Sequence, residues 1–127
     1  MILADVKVRA AADADANAMT SLAYRAMESN GHSKEEVAKF ADSLHITPER
    51  LQSCRFWAAE DEDAIIGCIA LEVLERGAGE VRSFFIAPEH QGRGIGRRLI
   101  RTLETIAHTQ GITRLQAHAD PVSVKHY

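Results

Sequence analysis

Long apolar runs are missing from this sequence. Nowhere do the 127 residues approach the ~20 consecutive apolar side chains of a membrane-spanning helix, so no helical span is expected. An excess of positive charge is missing too: the formal net charge is −3, which provides no overall basic field to gather nucleic acid. Cysteine is scarce. Cys54 and Cys68 form no CxxC pair and have no histidine at zinc-ligand spacing, so they are expected as reduced, small hydrophobic residues. The histidines at 32, 45, 90, 108, 118 and 126 are scattered, and no two share a helix face with a carboxylate in zincin order, so no metal site is expected. Repeats, low-complexity stretches and linkers are absent, and the length suits one domain over 1–127. Met1-Ile2-Leu3-Ala4 runs at once into Asp5 and Lys7, so no secretory leader is expected and the cytoplasm is the expected compartment.

What is present is periodic. Val6-Lys7-Val8-Arg9-Ala10 alternates as a half-buried strand does. Asp13 and Asp15 offer N-caps to a helix whose Met19, Leu22, Ala23 and Ala26 share one face and which Asn30-Gly31 ends. Ser33-Lys34-Glu35-Glu36 is a capping box, and Val37, Phe40, Ala41 and Leu44 line a second helix. Thr47-Pro48 starts another short helical turn. From Arg55 the period becomes that of strands. Phe56–Glu60 and Ile65–Val73 form a hairpin across Asp61-Glu62-Asp63, 74–80 reads as a turn, and Val81–Ala87 is an interior strand that Pro88 stops. A helix from Gly94 carries Ile95, Leu99, Ile100, Leu103, Ile106 and Ala107 along one side and ends at Gly111, and a strand returns over 113–119. Strand, crossover helix and strand imply a parallel pair at this point. The expected fold is α+β (mixed α/β), in the order β-α-α-β-β-β-α-β, with the start of a further helix after Pro121.

Gly92, Gly94 and Gly96 stand where the apolar strand ends and the last helix begins. The first turn of a helix has N–H groups without intrahelical partners and the positive end of the macrodipole, and glycines let an anion approach them. Between Gln91 and Leu103 the charges are Arg93, Arg97, Arg98 and Arg101, with no acid, so the patch is basic within an acidic chain. A P-loop would need GxxxxGK[ST], which is absent. A dinucleotide fingerprint would need glycine where Arg97 stands. The run Gln91-x-x-Gly94-x-Gly96 fits the Q/R-x-x-G-x-G/A pattern instead.

With Phe84-Phe85-Ile86-Ala87-Pro88-Glu89-His90 ahead of it, this loop resembles motif A of the GNAT family of N-acetyltransferases. The element order agrees, and Asp120-Pro121-Val122-Ser123-Val124-Lys125-His126-Tyr127 resembles motif B more weakly. The resemblance implies a GNAT-like twisted mixed sheet flanked by helices, with acetyl-CoA as co-substrate. It implies that Gln91, Gly92, Arg93, Gly94, Ile95, Gly96 and Arg97 hold the pyrophosphate, that the backbone of Phe84, Phe85 and Ile86 runs along the pantetheine arm at a strand bulge, and that Asp120 lies at the motif-B end of the cofactor site. A strand N–H near Phe84 or Phe85 would polarise the thioester carbonyl. The implied reaction is attack of a neutral primary amine on the thioester within a ternary complex, with Tyr127 protonating the departing thiolate. For the base the positions leave Glu80, Glu72, His90, His118 or a water path open, because Leu115 and Gln116 stand where some members carry glutamates.

Two departures from the family pattern carry expectations of their own. Asp120 stands where Asn or Ser is common, and the sequence ends at Tyr127, where members continue with the rest of a helix and two strands. The strand over 113–119 is therefore expected as an open sheet edge, suited to a homodimer. The segment 27–44 usually shapes the acceptor side. Its Glu28, Glu35, Glu36 and Asp42 suit either a cationic acceptor or a solvated helix face. An interaction module that binds CoA without turnover is the alternative function. A nucleic-acid partner is not expected, since no aromatics interleave the arginines.

Overall fold

Every residue from Ile66 through Leu71 is buried, which a strand achieves only when both faces of its sheet are covered. The computed structural model, which describes residues 6–75 and 77–117, builds that arrangement. Its elements run β1 (Lys7–Ala10), a 3₁₀ turn at Asp13–Asp15, α1 (Ala16–Ser29), α2 (Lys34–Lys39), α3 (Ala41–Leu44), α4 (Pro48–Ser53), β2 (Arg55–Asp61), β3 (Ala64–Glu75), β4 (Ala78–Ile86), a 3₁₀ turn at Pro88–His90, α5 (Ile95–Thr109) and β5 (Arg114–Ala117). The strands form one sheet in the order β1-β2-β3-β4-β5, antiparallel up to β4 and parallel between β4 and β5. The mixed α+β class and the parallel pair are as expected from the sequence.

The two long helices close the sheet. In α5, Ile95, Leu99, Leu103 and Ala107 recur every fourth residue and are buried against β2, β3 and β4. In α1, Met19, Leu22, Ala23, Ala26 and Met27 are buried against β3 and β4 on the other face. A fully buried leucine such as Leu99 contributes about 1.5–3 kcal/mol, so these two stripes hold the layers together. No helix among the described residues is long and apolar enough to cross a membrane.

Three local expectations are corrected. Asp13 and Asp15 do not cap α1 through their side chains. Asp15 instead accepts from the Ala12 N–H at 2.7 Å and from both terminal nitrogens of Arg9, at 2.8 and 3.0 Å, because Arg9 on β1 lies within reach and a guanidinium outcompetes a helix N–H. The second helix breaks at Phe40 into α2 and α3, although Ser33 and Glu36 do form the capping box. The turn expected over 74–80 is much shorter, centred on Gly77. β3 reaches Glu75 and β4 begins at Ala78, with Glu72 opposite Glu80 and Val73 opposite Gly79. Gly79 is a packing glycine within the strand: a Cβ there would stand 2.9 Å from Leu71 Cδ1.

Candidate active site

Pairing between β4 and β5 runs from Ala78↔Arg114 to Val81↔Ala117, and β4 then continues through Arg82–Ile86 beyond the last register pair. Within this continuation the strand bulges: Ala70 faces Arg82 and Cys68 faces Phe85, so Ser83 and Phe84 together stand opposite Ile69. Ser83 has φ +49°, a left-handed conformation that costs an L-residue roughly 1–2 kcal/mol. Its surroundings hold it there. Arg50 Nη2, reaching over from α4, donates to Ser83 Oγ at 3.0 Å, and Cys68 Sγ donates to the Ser83 carbonyl at 3.3 Å. Burial pushes the Cys68 thiol up to about 12, so it stays protonated and serves as that donor at neutral pH. Arg50 is itself fixed, with Nη1 donating to the His45 carbonyl at 3.2 Å and its guanidinium 5.7 Å from the Phe56 ring centre. Burial draws its pKa below the ordinary arginine value.

The side chains of Phe84, Phe85 and Ile86 are buried in the core, so whatever they offer a ligand comes from the backbone. Alternation in an extended strand gives successive N–H groups opposite directions. The Ala87 N–H bonds the Ile66 carbonyl on β3 at 2.8 Å, so the Ile86 amide turns the other way, away from β3.

At the end of β4 the 3₁₀ turn Pro88–His90 leads into the glycine loop, in which Gln91, Gly92, Arg93 and Gly94 are all exposed. Gln91 Nε2 lies 3.5 Å from the Ile86 carbonyl, tying the loop to the strand end. Gly94 is the N-cap of α5 at φ +83°, without a side-chain cap and with no acid in the first turn. A non-glycine residue there would be strained, and a side-chain cap would occupy the N–H groups that the loop leaves presented. Gly96 has a different part: a Cβ on it would stand 3.1 Å from Phe84 Cζ, so it lets α5 close onto β4. Ile95 packs inward at 1% exposure. Among the arginines, Arg93, Arg97 and Arg101 are exposed, while Arg98 Nη1 donates to the Val6 carbonyl at 2.8 Å and joins α5 to the first strand region.

The base candidates separate in space. Glu72 and Glu80 flank Arg82, whose Nη1 lies 3.0 Å from Glu72 Oε1 and 3.8 Å from Glu80 Oε1; Gln116 Nε2 donates to Glu80 Oε2 at 3.0 Å. Both carboxylates are therefore beside Arg82, next to the last register pair of β4 and β5, Val81↔Ala117. His90 sits at the opposite end of this stretch, beyond Ile86, with Nδ1 buried and without a hydrogen-bond partner among the described residues. His118, Asp120 and Tyr127 lie outside the described residues. On the segment preceding β2, Glu28, Glu35, Glu36 and Asp42 are exposed, and Glu36 accepts from the Ser33 N–H at 2.9 Å as part of the capping box. Sequence patterns single out neither Ser83 nor Arg50. Serine has no marked preference for left-handed backbone, and an arginine on a short helix reads as a solvated charge.

Comparison with known proteins agrees with this layout. The acetyltransferase (GNAT) family model matches residues 16–126. The IAA acetyltransferase of Azospirillum brasilense is 37% identical over 62 residues, covering 48% of this chain and 40% of that protein. The chain spans about two-fifths of the length of the curated relatives it matches in this way. The PaiA N-acetyltransferase from Thermoplasma acidophilum, solved in complex with coenzyme A, superposes with a TM-score of 0.73 at 19% identity, covering 84% of this chain and 74% of that one. A GNAT family acetyltransferase from Brucella melitensis in complex with acetyl-CoA gives 0.72 at 21% identity, covering 91% and 76%. With the family pattern matched over most of its length and the fold shared, this chain belongs to the acetyltransferase (GNAT) family.

Proposed function

We propose that this chain transfers the acetyl group of acetyl-CoA to a primary amine, by direct attack in a ternary complex. The observation that carries this reading is the uncapped N-terminus of α5 at Gly94, set just beyond the end of the bulged strand β4. Backbone amides from Gly92 to Arg97 would receive the pyrophosphate, with Arg93 and Arg97 adding positive charge. The backbone of Phe84–Ile86 would pair with the pantetheine arm as an added strand does. That placement brings the thioester to the bulge, beside Glu80. The fold neighbours solved with coenzyme A or acetyl-CoA support the co-substrate.

In the proposed chemistry, Glu80, directly or through water, removes the ammonium proton so that the amine lone pair attacks the thioester carbonyl carbon. A bulge N–H stabilises the oxyanion; as the intermediate collapses the C–S bond breaks, Tyr127 gives its proton to the thiolate, and the second proton shed by the nitrogen returns through water to the tyrosine phenolate. A phenol with pKa near ~10 suits a leaving group of similar basicity. Leu115 on β5, exposed as Val73 and Leu74 are, supports association with a second copy, which light scattering across a concentration series would detect as a dimer.

The test is thiol release from acetyl-CoA across a panel of amines, comparing the wild type with Gly94→Asp. The substitution strains a left-handed position and places a carboxylate where a pyrophosphate would sit. Release that is amine-dependent in the wild type and lost in the variant is expected. Equal behaviour of the two proteins would sink the reading. Calorimetric CoA binding with no acetylation of any amine would favour a binding module without turnover.

A further inference from the structure

A residue outside the sheet reaches the bulge in β4. Left-handed backbone outside glycine occurs, among the described residues, at Glu62 and Asp63 in the β2–β3 turn and at Ser83 in the middle of β4. A hairpin turn accommodates such residues, whereas a strand interior keeps one only when its surroundings over-determine it. At Ser83 the surroundings are two donors from separate elements: Arg50 Nη2 on the hydroxyl at 3.0 Å and Cys68 Sγ on the carbonyl at 3.3 Å. Ser83 is 6% exposed, so water does not compete well for these bonds. The carbonyl of Ser83 and the N–H of Phe84 belong to one trans peptide plane and point in opposite directions. With the carbonyl turned to the Cys68 thiol, the Phe84 amide is directed away from that thiol.

We propose that Arg50 is a positioning residue for acetyl transfer: its bond to Ser83 Oγ holds the left-handed conformation that sets the β4 bulge, and thereby the direction in which the Ser83–Phe84 peptide group meets the thioester. This rests on the reading of the chain as an acetyl-CoA-dependent transferase. Arg50 reaches the bulge from α4, in the segment that leads from the acceptor-side helices into β2. α4 is anchored in turn. Thr47 Oγ1 accepts from the Arg50 N–H at 3.2 Å, and Thr20 Oγ1 on α1 accepts from the Ile46 N–H at 2.9 Å, so the guanidinium projects from a fixed base. Glycine would take the same backbone angle without strain, so the tether is needed because residue 83 carries a side chain.

The test compares Arg50→Met, Arg50→Lys, Ser83→Gly and the double variant Arg50→Met/Ser83→Gly in the full chain. Arg50→Met is expected to lower kcat on the order of tenfold to a hundredfold, since a displaced oxyanion donor acts in the transition state, with little change in the dissociation constant for CoA. Arg50→Lys recovers part of the loss, because an ammonium can also donate to Ser83 Oγ. On the Ser83→Gly background, Arg50→Met costs far less than in the wild type, the non-additivity expected of a tether and the strain it holds. A readout independent of turnover is the infrared carbonyl band of bound 1-¹³C-acetyl-CoA. It is expected at lower frequency on the wild type than on Arg50→Met, reporting the weaker hydrogen bond. Wild-type kcat and carbonyl frequency in Arg50→Met would overturn the proposal, as would losses that multiply in the double variant. Wild-type protein that binds acetyl-CoA but acetylates no amine leaves the infrared comparison to decide the role of Arg50 while refuting turnover. Wild-type protein that binds no CoA overturns both.

Discussion

Gly96 on the first turn of α5 lies directly against the ring of Phe84 on β4: a Cβ added to the glycine would stand 3.1 Å from Phe84 Cζ. Two effects compete when Gly96 becomes alanine. Removing a glycine from a helix stabilises by roughly 0.5–1 kcal/mol, while overpacking a filled core costs typically about 1–3 kcal/mol. Phe84 is 2% exposed and has no room to retreat, so overpacking wins. Gly96→Ala should melt several degrees below the wild type and bind CoA more weakly, because the displaced helix carries the glycine loop with it. Calorimetry and a thermal melt read both; a stabilised Gly96→Ala would contradict the fit.

Arg97 and Arg98 are neighbours in sequence with opposite expected phenotypes. Arg97 is exposed beside the loop, so Arg97→Ala should weaken CoA binding about 3- to 5-fold at low salt, with the loss shrinking as salt screens the charge. Arg98 donates to the Val6 carbonyl at 2.8 Å, so Arg98→Ala should instead lower thermal stability by about 1–2 kcal/mol. CoA titrations at two ionic strengths, together with melts, separate the two.

Asp15 links acidity to stability. The Arg9 guanidinium, donating to it from 2.8 and 3.0 Å, holds its carboxyl below the ordinary value of 3.8. A depressed folded-state pKa means a contribution that is present above 3.8 and lost as pH falls through the lower, folded-state value. Asp15→Asn should therefore destabilise at neutral pH by about 1 kcal/mol, and the gap between the variants should close in acid. Denaturant unfolding from pH 7 to pH 2 tests this; a gap that widens on acidification would be the wrong sign.

The thiols of Cys54 and Cys68 should resist labelling in the native state. Cys68 is fully buried with its pKa pushed up to about 12, and Cys54 is 7% exposed. A thiol-reactive disulfide reagent at pH 8 should therefore react at the rate of unfolding, accelerating with denaturant. Rapid labelling of Cys68 in native buffer would argue against the packing around the bulge.

Local chemistry made much of this fold legible. The four-residue recurrence of Ile95, Leu99, Leu103 and Ala107, the Ser33–Glu36 capping box and the stop at Pro88 each act over a few residues, so they survive in a linear reading. The glycine loop was readable for the same reason, since a left-handed Gly94 followed by a basic first turn is a contiguous device. Gly79 misled because glycine is ambiguous: it marks turns through backbone freedom and close packing through its missing side chain, and only the position of Leu71 distinguishes the two. Asp15 misled because its partner Arg9 had to be brought within reach by the strand.

The sequence by itself determined the element types, the parallel return of the last described strand and the glycine loop at the start of α5, because periodicity and helix-terminal chemistry are short-range. Tertiary structure alone decided which glycine turns and which one packs, which arginine faces solvent and which one joins elements, and that Arg50 meets Ser83. Those contacts join residues from eight positions apart, as Leu71 and Gly79 are, to the 33 between Arg50 and Ser83 and beyond, and no local preference encodes them.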